Sequence, residues 1–363
     1  MNTIHEHPIT ICYFGIFDPE YGRNRVFIKG LKKQGVNVLL CVSHKRGVFK
    51  YFDLIRKHWS LRGRYDVMVV GYPGQQSVIL ARLLTRKPII FDALVSLYDS
   101  MVDDRAVIAR RSIRAYYYWF IDYFSCYLAD KVLVDTDAHK EYFIHTFYLH
   151  EKKIGRIFIG SDDEEIYPLP VHPESSIFKV HFHGCFNPLQ GVEVIIKAAK
   201  ILEHESIKFT LIGTGQTFDS VFALSESLNL QNISFFNRVP YSKLKEYLAE
   251  ADVSLGIFGI TNKALRVIPN KVYEALASRT PIITGRTPGI TELLTDRENV
   301  LLCEMGNGED LANKIQELRC NPALCASLAK QGYELFTTTL TPLVLSKQLL
   351  SIINSLVYDK SKS

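Results

Sequence analysis

Short runs rich in apolar and β-branched residues alternate with longer stretches of helical pattern along almost the whole chain. The runs are continuously apolar, which is typical of parallel strands covered by helices on both faces. Repeated strand–helix units of this kind predict an α/β protein with doubly wound parallel sheets. The predicted strands are Ile9–Phe17, Val36–Ser43, Val67–Gly74, Pro88–Leu94, Lys131–Thr136, Arg156–Asp162, Phe178–Gly184, Lys208–Gly213, Ile233–Val239, Val253–Gly259, Thr280–Gly285 and Asn299–Glu304. The predicted helices include Val26–Gly35, Ser77–Leu84, Ala106–Ala129 and Thr341–Val357.

A polar segment interrupts this alternation near the middle of the chain. Ser161–Ser176 contains three prolines and a cluster of acidic residues, which is typical of a linker. A chain of 363 residues is also long enough for two hydrophobic cores. We therefore predict two Rossmann-like domains, residues 1–168 and 169–338, followed by a C-terminal segment, 339–363. Ligands bind beyond the carboxyl ends of strands in open α/β sheets, so the chemistry is expected in a cleft between two facing sheets.

Composition narrows the class of protein. Hydrophobic residues make up 47% and charged residues 22% of the chain, as in soluble globular proteins. The seven cysteines form no CxxC pair, which favours reduced thiols, and the histidines have no further ligands at metal-binding spacing. The first residues lack the pattern of a signal peptide, and no uncharged apolar stretch reaches the roughly 18 residues of a spanning helix. We expect a cytoplasmic protein without a metal site.

Positive charge is concentrated in the first third of the chain. Between Arg23 and Arg114 there are 19 basic and six acidic residues, whereas the net charge of the whole chain is +5. This excess is either a solvated basic face or a surface for an anionic partner such as phospholipid, an acidic glycan or nucleic acid. The predicted helix Arg105–Leu128 joins four arginines to an aromatic run, which is typical of a core helix or of one that lies on an anionic membrane.

The segment Asn262–Leu294 carries the strongest indication of chemistry. Its cations Lys263, Arg266 and Lys271 lie close in sequence to Glu274, and Pro269 would pre-set the first turn of a helix. The free N–H groups of such a helix start favour a phosphate, and the cations supply further donors. A carboxylate at Glu274 is suited to accept hydrogen bonds from two ribose hydroxyls. The alternative is a surface helix stabilised by charge pairs.

Two further places follow predicted strands. Gly213 and Gly215 allow close approach of a ligand to the backbone, but Phe218 occupies the position of the third glycine of a dinucleotide fingerprint, which disfavours a nicotinamide oxidoreductase. FDALVSLYDS places Asp92, Ser96 and Asp99 at the end of another strand. These side chains either cap helices or contact the acceptor or the donor sugar, and Asp92 is the leading candidate for that contact.

The run PNKVYEALASRTPIITG resembles the donor-site segment of glycosyltransferase family four, whose members have the GT-B fold. Further segments resemble the family in the same order: ADKVLVDTDAHKEYF, IFIGSDDEEIYP, HGCFNPLQGVEVIIKAAKIL, LIGTGQ and ADVSLGIF. The resemblance implies two Rossmann-like domains facing across a cleft, with the last helix returning to the N-terminal domain. It also implies retaining, metal-independent transfer of a sugar from a nucleotide sugar that binds mainly the C-terminal domain.

The resemblance assigns site residues by position. Glu274 matches the second acid of the E-x7-E motif, a ribose ligand, while Gly213 and Gly215 match the glycine turn near the donor. Gly15 matches the turn after the first strand, beside the phosphates of the transferred sugar. The other expected donor-binding residues are Asn187, Gln190, Arg238, Val239, Asn270 and Lys271.

The chain departs from the family pattern at four positions, two of which hold the diphosphate. Arg266 stands where the first acid of E-x7-E is expected, Cys185 and Gln190 stand where an arginine and a lysine are expected, and Leu94 replaces a histidine. Losing one donor that stabilises a transition state typically costs ~3 kcal/mol. We therefore predict that Lys263, Arg266 and Lys271 replace the usual residues and, with Asp92, carry catalysis.

The expected function is transfer of a sugar from a UDP- or GDP-sugar to a glycan or lipid-linked acceptor in cell-surface polysaccharide synthesis. It would take place in the cytoplasm or at the inner face of the membrane, without a cofactor and without nucleic acid as a partner. The alternative is a GT-B-like protein with weak or no activity that binds nucleotide sugars or acts as a scaffold.

Overall fold

The computed structural model describes residues 9–170 and 176–362, and these residues divide into two compact units. Unit 1 comprises the chain up to Val102, Ile108–Gly160 and the segment from Thr341 onward. Unit 2 comprises Asp103–Val107 and Ser161–Leu340. The division after Gly160 lies before the boundary predicted at 168, and the segment that returns to unit 1 begins at Thr341 rather than at 339.

Twelve strands and thirteen α-helices are described in the two units. The strands are β1 Thr10–Gly15, β2 Asn37–Val42, β3 Val67–Val70, β4 Ile89–Leu94, β5 Lys131–Val134, β6 Ile154–Arg156, β7 Phe178–His183, β8 Ile207–Ile212, β9 Ile233–Phe236, β10 Val253–Leu255, β11 Ile282–Gly285 and β12 Leu301–Cys303. The helices are α1 Gly22–Lys33, α2 Phe49–Leu61, α3 Gln75–Leu84, α4 Ile113–Leu128, α5 Asp137–Phe147, α6 Val192–Ile201, α7 Phe218–Ser227, α8 Leu244–Glu250, α9 Asn270–Ala277, α10 Pro288–Thr291, α11 Gly308–Cys320, α12 Pro322–Leu335 and α13 Pro342–Lys362.

Unit 1 contains a six-stranded parallel sheet with the order β2-β1-β3-β4-β5-β6. Strands β3 and β4 are buried along their whole length because helices cover both faces of the sheet. Crossover connections between parallel strands are right-handed, so the reversal of strand order at β1 places α1 on one face and α2, α3 and α4 on the other. Helix α13 packs on α1, where a side chain at Gly30 would collide with the carbonyl group of Pro342.

Three elements of unit 1 differ from the prediction. Helix α2 was not predicted, because its apolar residues do not mark a face buried against the sheet. Helix α4 begins at Ile113 rather than near 106, since the Ser112 hydroxyl accepts the Ala115 N–H and caps the helix there. The strand predicted over 156–162 is β6, which ends at Arg156 where pairing with Val134 ends.

Unit 2 repeats the architecture with a second six-stranded parallel sheet of order β12-β11-β10-β7-β8-β9. A large part of its core is formed by alternate apolar side chains on one face of the strands and by side chains of α6 and α11, including Phe182, Leu211, Ile195 and Ile315. The two parallel α/β sheets agree with the predicted fold class. Strands β7 and β8 are neighbours, so the turns that follow them meet at one edge of the sheet.

The continuous helical run Pro322–Tyr358 is long and apolar enough, by length and composition, to cross a membrane. Part of its apolar surface, 33% of the most apolar 18-residue stretch, is buried inside the protein. Its fully buried side chains include those of Leu340, Leu345, Leu349 and Ile353, as expected of a core helix in a globular protein. The run therefore carries no argument for a spanning segment.

Candidate functional site

The turns after β7 and β8 in unit 2 are packed so closely that only glycine fits. A side chain at Gly213 would collide with the carbonyl oxygen of Gly184, and one at Gly215 with the carbonyl oxygen of Phe186. All three glycines have φ between +141° and +157°, which L side chains rarely adopt. The predicted glycine turn of Gly213 and Gly215 is thus pressed against the Gly184 turn, at the sheet edge where ligands bind in this class of fold.

Helix α9 brings its N-terminal half to the same edge. Pro269 is its N-cap residue, with φ −72° and no side-chain cap, so the proline precedes the first turn rather than forming part of it. Asn270 is the first helical residue and is half-buried, whereas Lys271 and Glu274 are buried. The helix start presents backbone N–H groups without a capping side chain, an arrangement that favours an anion.

Glu274 is the end of a hydrogen-bonded chain of buried side chains. Its Oε2 lies 2.7 Å from Nε2 of His183, and Nδ1 of His183 lies 2.9 Å from Nε2 of His181. Since an ionised carboxylate only accepts, we assign the proton to Nε2 of His183, so that its Nδ1 accepts from Nε2–H of His181. Burial, reinforced by His183 and Lys271, holds the pKa of His181 well below its usual value, as this neutral arrangement requires.

The chain of two histidines leaves part of Glu274 available. Its second carboxylate oxygen has no hydrogen-bond partner among the residues that the structure describes. His183 therefore orients the carboxylate while one oxygen stays open to a ligand. The sequence carries a usable indication of this role, because His181 and His183 alternate along β7 and so share one face of the sheet.

Lys271 lies one helical turn before Glu274 and reaches the Gly184 turn. Its ammonium group donates to Oε1 of Gln190 and lies 3.8 Å from the centre of the Phe182 ring. A Cβ at Gly184 would lie 2.9 Å from Nζ, so a larger residue there would displace the ammonium group. Burial lowers the pKa of Lys271 to about 7, against the opposing effect of Glu274. An anion bound at this turn would restore the charged form.

Gln190 stands where the family pattern has a lysine, and its side chain holds the amino group of Lys271. The positive charge missing from position 190 is thus supplied at nearly the same place by a residue from α9. Asn187, earlier in the same turn, is buried, and its Oδ1 has no hydrogen-bond partner within 9–170 and 176–362. The predicted donor contacts of both residues stay predictions.

Lys263 and Arg266 lie in the irregular segment between β10 and α9. Lys263 is buried and Arg266 is half-buried, and both make further interactions in the structure. The Arg266 backbone packs under Gly289, where a Cβ would lie 2.7 Å from the Arg266 carbonyl carbon. Their catalytic role stays a prediction. The same holds for exposed Arg238 and half-buried Val239, which follow the edge strand β9.

The two candidates in unit 1 have different surroundings. Gly15 ends β1 with φ +146°, and a Cβ there would lie 3.1 Å from the Phe17 ring. Asp92, in β4, is fully buried, and Arg23 Nε donates to its two oxygens at 2.7 and 3.0 Å. Burial raises the pKa of Asp92 and Arg23 opposes this rise. Asp92 has no exposed atom for a substrate, so its predicted catalytic contact is corrected to a structural ion pair.

The polar groups that follow Asp92 in sequence form a capping network. The Ser96 hydroxyl accepts the Asp99 N–H at 3.0 Å and donates to Asp122 at 2.7 Å. Asp122 also accepts the N–H groups of Leu97 and Tyr98. Burial raises the pKa of Asp122 to about 6. This outcome fits the helix-capping alternative for Ser96.

Within the residues that the structure describes, no group of three His, Cys, Asp or Glu side chains could hold a metal ion.

Comparison with known proteins agrees with this geometry. The sequence model of the family described as "Glycosyl transferases group 1" matches residues 173–335. An uncharacterized glycosyltransferase of Methanocaldococcus jannaschii is 28% identical over 160 residues, which is 42% of this chain and 41% of that protein. A lipopolysaccharide core biosynthesis glycosyltransferase of Rhizobium meliloti is 24% identical over 155 residues, or 42% of each chain. The chain thus matches about two fifths of the length of these curated relatives.

Among solved structures, Anabaena HepE in complex with UDP and glucose superimposes with a TM-score of 0.71 at 15% identity, covering 96% of this chain and 100% of HepE. This likeness extends over both units and concerns the fold. Together with the two parallel six-stranded sheets, it shows that the chain has the GT-B fold, and residues 173–335 are similar to the group 1 glycosyltransferases.

Proposed function

We propose that the protein transfers a sugar from a nucleotide sugar bound by unit 2. The observation that carries this proposal is Glu274, held by His183 with one oxygen open, one helical turn from a buried lysine at a glycine turn. The open carboxylate oxygen suits ribose hydroxyls, and the lysine with the helix start suits a diphosphate. The named activities of the relatives support the same class of enzyme.

Lys271 would stabilise the leaving nucleoside diphosphate. Its ammonium group can donate to phosphate oxygens, and the uncapped N–H groups of α9 can donate beside it. Positive charge that is fixed before the reaction lowers the energy of the charge that develops on the leaving group. We propose that this arrangement allows transfer without a metal ion, and that the acceptor hydroxyl attacks from the face of the leaving group, with retention of configuration.

The donor and acceptor are proposed at the level of chemical class. A UDP-sugar is the first donor to test, because HepE was solved with UDP and glucose. A GDP-sugar remains the second. The relative from Rhizobium meliloti is named for lipopolysaccharide core biosynthesis, which supports a cell-surface glycan or its lipid-linked precursor as acceptor. We further propose a cytoplasmic location, because a reducing compartment suits seven cysteines without a CxxC pair.

A second candidate is a protein that binds nucleotide sugars without turning them over. It is favoured by one observation: Cys185 and Gln190 replace the two cations that hold the diphosphate in the family pattern. Lys271 supplies one of these two charges. The hypothesis of a binding protein without turnover therefore requires that a single buried lysine does not suffice for departure of the nucleoside diphosphate.

The test is release of nucleoside diphosphate from a panel of UDP- and GDP-sugars, with direct measurement of donor binding. Release of nucleoside diphosphate from one donor by the wild type supports the transferase, provided that Glu274→Ala abolishes both this release and the binding of that donor. Binding of a donor without release of diphosphate, with or without candidate acceptors, supports the binding protein. Turnover unaffected by EDTA supports metal independence, and the anomeric configuration of the product by NMR decides between retention and inversion.

A further inference from the structure

Helix α2 of unit 1 carries its large apolar side chains on the outside. Phe52 is 67% and Trp59 70% exposed, and Val48, Phe49 and Ile55 are exposed beside them. At 100° per residue these five residues share one side of the helix. The opposite side buries Leu54 together with two polar side chains, Asp53 and His58. The helix thus reverses the usual arrangement, in which the apolar face packs on the sheet.

Helix α4 has the same reversed polarity. Ile113 is 89% and Tyr127 65% exposed, and they lie in one stripe with three further exposed aromatic residues, Tyr116, Phe120 and Phe124. Its buried side includes Asp122 and Ser125, whose hydrogen bonds are made inside the unit. Single exposed apolar residues are normal on a protein surface, but two helices with continuous exposed aromatic stripes indicate a binding surface.

The two stripes belong to one side of unit 1. Helices α2, α3 and α4 cover the same face of the sheet, and Gln76 of α3 joins its two neighbours at the surface. Its Oε1 accepts from the Tyr51 hydroxyl of α2 at 2.6 Å, and its Nε2 donates to the Tyr117 hydroxyl of α4 at 2.9 Å. The aromatic side chains are therefore presented together on a rigid support.

Basic residues lie close in sequence to both stripes. Arg62 lies 5.4 Å from the centre of the Trp59 ring, and further exposed cations flank or belong to the two helices: Lys45, Arg46, Arg56, Arg64, Arg110, Arg111 and Arg114. The acid on α2, Asp53, is buried and lies within 4.0 Å of Lys45, Arg56 and Lys57. The exposed surface is thus aromatic and positively charged.

We propose that this surface of α2 and α4 binds the headgroup region of an anionic phospholipid bilayer. Aromatic side chains are favoured at the membrane–water interface, and each Lys or Arg near an anionic leaflet adds attraction. A protein partner or a second copy of the chain would also cover apolar area, but the surrounding belt of cations would repel a second copy of the same surface. The proposal does not depend on the transferase activity.

The first test measures sedimentation of the full chain with vesicles of phosphatidylcholine alone and of an equal mixture with phosphatidylglycerol. We expect binding to the mixed vesicles only. Phe52→Ser combined with Trp59→Ser should weaken that binding about tenfold or more, since it removes two interfacial side chains. Arg56→Glu with Arg62→Glu should weaken it similarly. The matched controls in unit 2, Ile201→Ser and Lys330→Glu, should bind as the wild type does.

The second test uses Trp59 as a reporter of depth. The chain has two tryptophans, so Trp119→Phe leaves Trp59 as the single source of tryptophan emission. Its emission should shift to shorter wavelength on anionic vesicles and be quenched by brominated lipid. The far-UV circular dichroism spectrum and the thermal unfolding temperature should be the same in every variant, which would show that the fold is intact.

Three results would overturn the proposal. The first is an absence of binding to the mixed vesicles. The second is equal binding by the Phe52→Ser/Trp59→Ser variant, or an unchanged Trp59 emission in the vesicle-bound protein. The third is a wild-type dimer in solution that this double variant dissociates, because a second copy would then be the partner that covers the surface.

Discussion

Both units bury charged side chains at their sheets, but the two clusters differ in how many of their hydrogen-bonding positions are filled. In unit 1, Arg23 donates to both oxygens of Asp92 and to the carbonyl groups of Ile157 and Val134. In unit 2, Glu274 holds one hydrogen bond from His183, and Lys271 donates to Gln190 alone among the described residues. The first cluster is complete without a ligand, whereas the second keeps donors and an acceptor for one.

Burial alone therefore does not identify a functional charge. Asp92 is more deeply buried than Glu274 and its pKa is raised, yet its partners are all inside the fold. Unfilled hydrogen-bonding positions next to a glycine turn identify a functional charge better than burial does, because a ligand can fill those positions. A substitution should therefore affect stability at the first cluster and ligand binding or turnover at the second.

The largest expected effect is on stability, at the complete cluster. Asp92→Ala would leave Arg23 buried without its carboxylate, which typically costs about 3–5 kcal/mol. We expect a loss of that size in the free energy of unfolding, measured by urea denaturation. Replacing both partners, Arg23→Met with Asp92→Leu, should recover most of it. If Asp92→Ala kept full stability and lost turnover, the original assignment of Asp92 to the substrate would be restored.

At the incomplete cluster the effect should be on activity. Lys271→Met removes the cation nearest the proposed diphosphate, and we expect a loss of about 3 kcal/mol, or roughly a hundredfold, in kcat. The unfolding free energy should change much less than in Asp92→Ala, because no ion is left buried without a partner. Lys263→Met and Arg266→Met are the matched comparisons. A larger loss of kcat in either of them would move the leaving-group role away from Lys271.

A smaller effect is expected for the side chain that orients Glu274. His183→Ala removes a hydrogen bond to a carboxylate, which is worth about 1.5–3 kcal/mol, so the donor KM should rise about tenfold or more with little change in kcat. His183→Gln, whose amide can donate to the same oxygen, should recover part of the affinity. An equal loss in both variants would show that bulk at this position matters and the hydrogen bond does not.

The smallest effect is a dependence of donor binding on pH. The pKa of Lys271 is lowered to about 7, so the free protein loses this charge as the pH rises above 7, and donor affinity should fall by up to about tenfold per pH unit. The dependence should be absent in Lys271→Met. The effect of pH on stability has the opposite direction. Between the folded pKa of about 7 and the higher pKa of the unfolded chain, the unfolded chain binds more protons at this lysine. A rise in pH through that window therefore stabilises the folded protein. A Kd that does not change between pH 7 and 9 would contradict the prediction.

The strands of both sheets could be predicted from the sequence because a short, continuous apolar run is typical of a parallel strand that is covered on both faces. The sequence also placed Lys271, Gln190 and Glu274 in donor-site segments, and the structure brings Lys271 and Gln190 into contact. It could not predict that Arg23 pairs with Asp92, since the two are 69 residues apart and only the sheet order brings them together. Reading Asp92 by its position at a strand end therefore led to the wrong role.

Helix α2 escaped prediction for a different reason. Pattern analysis assumes that apolar side chains mark the buried face, and α2 buries Asp53 and His58 while exposing Phe52 and Trp59. The same reversal made α4 ambiguous between a core helix and a surface helix. Helix α6 shows the usual pattern, with Val192, Val194, Ile195 and Ile196 buried against the core of unit 2.

The docking of α13 on α1 also has a consequence for the order of assembly during translation. Unit 2 is complete once Leu340 has been synthesised, whereas unit 1, whose sheet is synthesised earlier, lacks one of its helices until the segment from Thr341 emerges. Gly30 and Gln34 of α1 meet Pro342 and Ser346 only then. On the ribosome, unit 1 is thus begun before unit 2 and completed after it.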